Sequence, residues 1–318
     1  MAATFSELGR VEAIRQLFEG SGYTPFGEPL HFRGGEGDSC VSASRLLLEG
    51  TDFNLVYFPL KHLGYKSVIS VTGELYSALA HPEALALTLG VSAKLDFEQI
   101  KELWSGVVFA AKEQGYKSLS LELEPSRNGL AISLAAVGNS HPAVRPSAES
   151  KDLVCVSGSL GAAYLGQQVL EHKRDELEKY KMLVGSYLKP ELSPDVVTLV
   201  ESAGIVPSYS YFVSRGLSDA VLRLNRDSGL GVKVYADKIP FEGNSFCLGK
   251  ELDIDPVSAA MNGGDDFRLL FVVPIGHYEE FRKVFGGFDI IGHLARPDVG
   301  AVLVTPDGLE HPISAQGW

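Results

Sequence analysis

The stretch Met261-Asn262-Gly263-Gly264-Asp265-Asp266-Phe267 sets two glycines and two adjacent carboxylates directly before the apolar run Leu269 to Val273. Glycine lets a loop pass close to a ligand, and paired carboxylates at a strand start can hold a cation or a polar ligand. The same residues also suit a plain turn whose aspartates bond their own backbone, and residue type alone leaves both readings open. Other chemistry is scarcer. Gly243 to Lys250 has one residue too many between its glycines for a phosphate-cradling loop, and Glu251 stands where a magnesium-binding hydroxyl is required. Gly35-Glu36-Gly37 lacks the third glycine of a dinucleotide fingerprint. The eight histidines form no pair at helical metal-ligand spacing, and His62 and His293 read as ordinary polar or core residues. No Gly-x-Ser-x-Gly elbow occurs, and Cys40, Cys155 and Cys247 are too few and too scattered for a disulfide framework or a zinc cluster. The charge run Glu171 to Glu176 reads as a solvated helix face.

The elements that must position these residues alternate between helix and strand. Phe5, Val11, Ile14, Leu17 and Phe18 recur at helical spacing, and residues 21 to 41, rich in Gly and Pro, suit a loop or irregular hairpin. A strand at Val41 to Leu48 precedes a long helix from Leu60 to Leu79, stopped by His81-Pro82. Leu85 to Val91 reads as a strand, Phe97 to Val108 as an amphipathic helix, and Leu119 to Leu123 and Leu130 to Val137 as strands. Gly138 to Lys151 is apolar-poor and turn-rich, and it divides a domain at 1–142 from one at 143–318. Beyond it come a strand at Leu153 to Val156 and helices at Ala162 to His172, near Asp175 to Tyr187, at Ser193 to Ala203 and at Ser218 to Leu224. Strands at Gly231 to Tyr235, Leu269 to Val273, Phe288 to Ile291 and Ala301 to Val304, with a helix at Tyr278 to Phe285, complete an α/β pattern.

Composition narrows the function class. The chain has 318 residues, 45% hydrophobic and 21% charged, with 28 basic against 40 acidic residues and a net charge of −12. Such a surface repels a phosphate backbone, so nucleic acid is not expected as a partner. No apolar run is long enough for a membrane span and the N-terminus lacks a secretory pattern, so a cytoplasmic protein is expected.

Several stretches, in order, resemble the thiamine-monophosphate kinase family of the aminoimidazole ribonucleotide synthetase-related superfamily. They are Leu46-Leu47-Leu48-Glu49-Gly50 before Phe53, Pro59 to Lys66, Asp152 to Ala163, Ser228-Gly229-Leu230-Gly231 through Lys238-Ile239-Pro240, and Gly263 to Phe267. The resemblance implies a two-domain α/β fold. Its N-terminal half is an ATP-binding and dimerisation domain that contributes strands to a dimer barrel, its C-terminal half is α/β, and the active site lies in the cleft between them. It also implies transfer of the γ-phosphate of ATP to thiamine monophosphate with several magnesium ions, a reaction carried by positioning and electrostatics.

At the positions of the family's metal-binding aspartates the pattern changes. Gly27-Glu28-Pro29 stands for Gly-Asp-Asp, Arg45 for an Asp, Gly73-Glu74 for Ser-Asp, Ser120-Leu121-Glu122 for Gly-Gly-Asp, Phe212 to Gly216 for Asp-x-Ser-Asp-Gly, and Asp52 for a His. A shifted register in the glycine-rich segment offers Glu36 or Asp38 instead. Glutamate reaches about 1.5 Å further than aspartate, in a magnesium shell that tolerates little departure from about 2.1 Å. A guanidinium repels the ion outright and pairs with carboxylates. Arg45 and Arg215 are therefore expected to fill the cationic space of magnesium and to neutralise some of Glu28, Glu74 and Glu122. The expected protein is a degenerate relative, a homodimer without transfer activity that acts as a ligand-binding or interaction protein and requires no cofactor. Gly158, Gly161, Lys66 and Asp265 would hold a small phosphorylated ligand or nucleotide. The alternative is an active kinase using ATP and Mg2+, with Glu28, Glu74, Glu122 and Asp266 as its catalytic carboxylates.

Overall fold

Apolar residues at every second position of several strands give each sheet a buried side, and helices with apolar faces cover it. The computed structural model describes residues 30–33, 39–140 and 144–314, together with residues 12, 16 and 19. The helix expected around Phe5 to Phe18, the carboxylate of Glu28 and the alternatives Glu36 and Asp38 lie outside the described residues. Contacts divide the chain into two compact units. One takes the described residues between 28 and 143 with those of 166–202, and the other takes residues 12, 16 and 19, 144–165 and those from 203 onward.

The first unit holds a five-stranded sheet in the order β1-β2-β5-β3-β4. Its strands are β1 (Leu30–Arg33), β2 (Ser39–Leu48), β3 (His81–Ser92), β4 (Ser118–Ser126) and β5 (Ala131–Ser140). Pairing is antiparallel except between β3 and β4. Parallel neighbours need a crossover, which here is α2 (Phe97–Glu113). Asp96 starts that helix with a capping box: its carboxylate accepts the Gln99 N–H at 2.9 Å, and the Gln99 side chain accepts the Asp96 N–H at 2.9 Å. The other long helix, α1 (Leu60–Ser77), is buried almost all round. It can be, because it lies against the sheet, against α2 and against α4 (Lys181–Leu188). Glycines permit the α1–α2 approach: a Cβ on Gly64 would collide with the Leu103 carbonyl oxygen, and one on Gly106 with the Lys61 carbonyl oxygen.

Register assigns the sheet's faces. Ala43, Leu47, Leu85, Leu87, Leu89, Ile132, Leu134 and Ala136 point to the helices and are buried. Leu46, Ser133, Thr88 and Glu122 share one rung of the opposite face and are exposed.

The second unit holds a seven-stranded sheet in the order β12-β11-β8-β10-β6-β9-β7. These are β6 (Leu153–Ser157), β7 (Tyr209–Val213), β8 (Gly231–Tyr235), β9 (Arg268–Val273), β10 (Phe288–Ala295), β11 (Ala301–Val304) and β12 (Glu310–Pro312). Val154, Val156, Val232, Val234, Leu270 and Val272 form its core with α6 (Leu217–Ser228) and α8 (Pro256–Asn262). The remaining helices are α3 (Ala162–His172), α5 (Val196–Ala203), α7 (Ser245–Leu252) and α9 (Tyr278–Val284).

Two differences from the periodicity reading have local causes. The helix expected near Asp175 to Tyr187 begins only at Lys181, because Glu176 accepts from both Lys173 and Lys179 at 3.0 Å and ties a short 3-10 turn, Arg174–Glu176. Strand β7 and helices α7 and α8 are short, and tertiary burial rather than periodicity sustains them. No described helix is long and apolar enough to cross a membrane.

Candidate functional site

In the second unit β9 lies between β6 and β7 and runs antiparallel to both. The pairs Val156 with Leu270 and Val213 with Arg268 bring the ends of β6 and β7 to the start of β9. The loops 158–161, 214–216 and 263–267 therefore converge. Sequence and geometry agree on their glycines: Gly158, Gly161, Gly216 and Gly264 have φ of 77°, 75°, 88° and 79°. Asp265 and Phe267 adopt φ of 60° and 50°, which costs on the order of 1–3 kcal/mol each for L side chains. The Phe267 ring is buried and stacks on Phe212 at 5.4 Å, which helps hold that backbone.

Asp266, between those two residues, is buried. Its carboxylate accepts the N–H of Gly161 at 2.8 Å and of Ala163 at 3.1 Å. It thereby supplies acceptors for N–H groups at the start of α3, which have no partners inside the helix. Burial pushes its pKa up to about 7, opposed by the two N–H groups and by Arg268, and Asp265 raises it further. Arg268 donates from Nε to the Ser159 carbonyl at 3.3 Å, and its guanidinium lies where a Cβ on Gly158 would be 3.2 Å away. The Asp265 N–H donates to the Ser214 carbonyl at 3.0 Å, joining two of the loops.

The structure thus gathers Gly158, Gly161, Asp265 and Asp266, with the backbone of Arg215 beside Gly264. The Arg215 side chain is exposed. Exposed ion pairs contribute little, so Arg215→Ala is expected to change the unfolding free energy by less than about 1 kcal/mol in a urea titration. A loss several times larger would mean that the guanidinium balances buried charge.

The first unit places the other expected residues apart. Arg45 is half-buried on the helix-facing side of the sheet, at the rung of Leu134 and Leu87. Its Nε is buried without a hydrogen-bond partner, and it forms no ion pair with a described carboxylate. The pairing expected with Glu122 is not made, because register sets Glu122 on the opposite, exposed face. Glu74 is buried within α1. The Lys66 ammonium is also buried, 3.6 Å from the ring centre of Tyr187 and 5.3 Å from that of Phe58, a cation–π seat joining α1 to α4.

Magnesium needs several oxygen ligands in near-octahedral array. Asp266 gives both oxygens to backbone N–H groups, Glu122 faces outward, and no three described His, Cys, Asp or Glu side chains gather as a metal would require. Within either unit, then, the described His, Cys, Asp and Glu side chains form no cluster of three around such an ion.

Sequence reasoning missed a cavity of about 700 Å3 in the second unit, walled by Phe241, Phe246, Met261, Leu303 and Ile313. Asn262 lines it, and its side-chain oxygen is buried without a hydrogen-bond partner among the described residues, an acceptor suited to a ligand N–H. The available signal was the pair Phe241 and Phe246 flanking Gly243-Asn244, apolar rings in a stretch with no periodicity.

No protein-family profile matches the chain. A thiamine-monophosphate kinase of Pyrococcus horikoshii is 26% identical over 96% of the chain and 94% of its own length. That of Aquifex aeolicus is 23% identical, over 88% and 93%. A solved structure described as AaThiL complexed with AMPPCP and TMP superposes with a TM-score of 0.86 at 21% identity, covering 100% of this chain and 99% of that one. The two-domain α/β fold expected from the resemblance is the fold of that structure.

Proposed function

We propose that this chain, a relative of the thiamine-monophosphate kinases, binds a small phosphorylated ligand and has lost magnesium-dependent phosphoryl transfer. In this reading it is a cytoplasmic homodimer whose N-terminal domain, residues 1–142, carries the dimer contact. The observation that carries the proposal is the convergent loop cluster. Its buried carboxylate, Asp266, is committed to α3, and the neighbouring loop offers Arg215 where the family has an Asp. Phosphoryl transfer depends on cations that neutralise crowded oxygens, and a guanidinium, being cationic, cannot ligate them as a carboxylate would. Ligand binding does not share that need. Gly158, Gly161 and Asp265 line the loops, and the cavity beside Asn262 is large enough for a heterocyclic ring. The AaThiL structure was solved with TMP and AMPPCP, which supports a phosphorylated ring compound as the ligand class.

Similarity along nearly the whole chain favours a second reading, an active kinase using ATP and Mg2+ to make thiamine diphosphate. Incubating the purified protein with ATP, magnesium and thiamine monophosphate, beside the Aquifex aeolicus enzyme as a positive control, separates the two. No diphosphate is expected by chromatography. Multiple turnovers per chain would establish the second reading and overturn the first.

A further inference from the structure

The seven-stranded sheet has its main core on one face only. On the other, the rings Phe271, Phe281, Phe285 and Phe288 pack together, with Phe271 on Phe288 at 4.9 Å. Over β8 and β10 that face stays open as a groove of about 500 Å3, floored by Leu153, Tyr235, Ile290 and His293 and rimmed by Lys151 and Lys238. It begins at Leu153, whereas the convergent loops start beyond Ser157, at the other end of β6.

We propose that this groove is a second binding site, for a planar heteroaromatic ring that carries a phosphate. The ring recognition comes from Tyr235 on β8 and His293 on β10, which are diagonal neighbours in the ladder because His293 pairs with Lys233. Their rings are stacked, with centroids 5.7 Å apart and planes 27° from parallel, so a third ring can extend the stack. His293 suits that role as a neutral ring: burial and then Lys233 hold its pKa below the usual histidine range.

The phosphate recognition comes from charge. In a chain of net charge −12, the described lining of this groove contains Lys151 and Lys238 and no acid. Lys233, next along the sheet, is occupied by Glu310, and the contact of Lys238 with Asp237 is a long, exposed one of 3.7 Å. Such a contact competes weakly with a phosphate dianion. Lys151 stands at φ 85°, with its N–H donating to the Leu294 carbonyl at 2.8 Å, which sets where its side chain leaves the backbone. The volume falls in the range of small-molecule sites and suits a mononucleotide better than a peptide, which would need an extended surface.

Adenosine 5′-monophosphate is the probe, titrated into the full chain by calorimetry with EDTA present to silence any magnesium-dependent binding. Saturable binding is expected, weakened at least about fivefold by Tyr235→Ala through loss of stacking, and similarly by Lys238→Gln. Tyr235→Phe keeps the ring and should keep the affinity, which separates recognition from folding. Adenosine and inorganic phosphate alone should each bind at least about tenfold more weakly, since each makes only half of the contacts. Absence of saturable binding at millimolar concentration would overturn the site. So would binding unchanged by Tyr235→Ala and Lys238→Gln, inorganic phosphate competing as well as the nucleotide, or affinity lost instead in Asn262→Ala. None of these outcomes depends on whether the protein transfers phosphate.

Discussion

Asp266→Ala is expected to lower the unfolding free energy by about 2–6 kcal/mol, because it leaves two buried N–H groups without acceptors, each costing about 1–3 kcal/mol. Those groups belong to Gly161 and Ala163 at the start of α3. The loss should depend on pH in a defined direction. Burial raises the Asp266 pKa from 3.8 to about 7, so between those values the native state binds more protons than the unfolded one. Stability falls as pH rises wherever that holds. The Asp266 contribution is therefore fully present below about pH 4 and is lost as pH passes 7, an upper bound of ~4 kcal/mol for a shift of this size. The destabilisation caused by Asp266→Ala should accordingly be larger at pH 5 than at pH 8, and Asp266→Asn should remove the same slope. Urea midpoints of the three proteins across that window test this. Parallel pH profiles for wild type and variants would show that Asp266 titrates as an ordinary surface carboxylate.

Gly64→Ala or Gly106→Ala should each destabilise the first unit, by a net of about 2 kcal/mol or more. Alanine favours a helix interior over glycine by about 1 kcal/mol, so propensity alone predicts a gain. At these positions, however, the added carbon meets a backbone carbonyl of the facing helix, Leu103 or Lys61. A carbonyl within a helix cannot rotate aside, so α1 and α2 must separate, and overpacking of this kind costs about 3 kcal/mol. Gly185 in α4 supplies the control. A Cβ there has nothing within 4 Å, and Gly185→Ala should stabilise by up to about 1 kcal/mol. Thermal melts that rank Gly64→Ala above wild type would mean that the helices part at little cost.

Legibility varied with the range of the interactions involved. Helices α1, α2 and α3 and strands β2, β5, β6, β8 and β11 follow from period and punctuation, since each carries an apolar face long enough to show. Asp255, which caps α8 ahead of Pro256, was a readable start signal, yet that helix is too short to display a period. Within the candidate site, the Gly-Gly-Asp-Asp-Phe stretch stood out by residue type, and its glycines do occupy left-handed backbone. Its carboxylate is turned to α3 by the loop backbone, left-handed at Asp265 and Phe267 on either side of it, and that is invisible in composition. Arg45 and Glu122 illustrate the same limit: both were chosen by motif position, and only the pairing of β2 with β5, of β5 with β3 and of β3 with β4 sets them on opposite faces.

The α/β class and the similarity to thiamine-monophosphate kinases were legible before any fold was known, because local period and motif order are written along the chain. That Asp266 caps a helix, that Lys66 sits against Tyr187, and that Tyr235 and His293 stack across neighbouring strands emerges with the folded sheets. Those contacts join residues far apart in the chain. Their energies come from burial and register, which exist only once the sheets have formed.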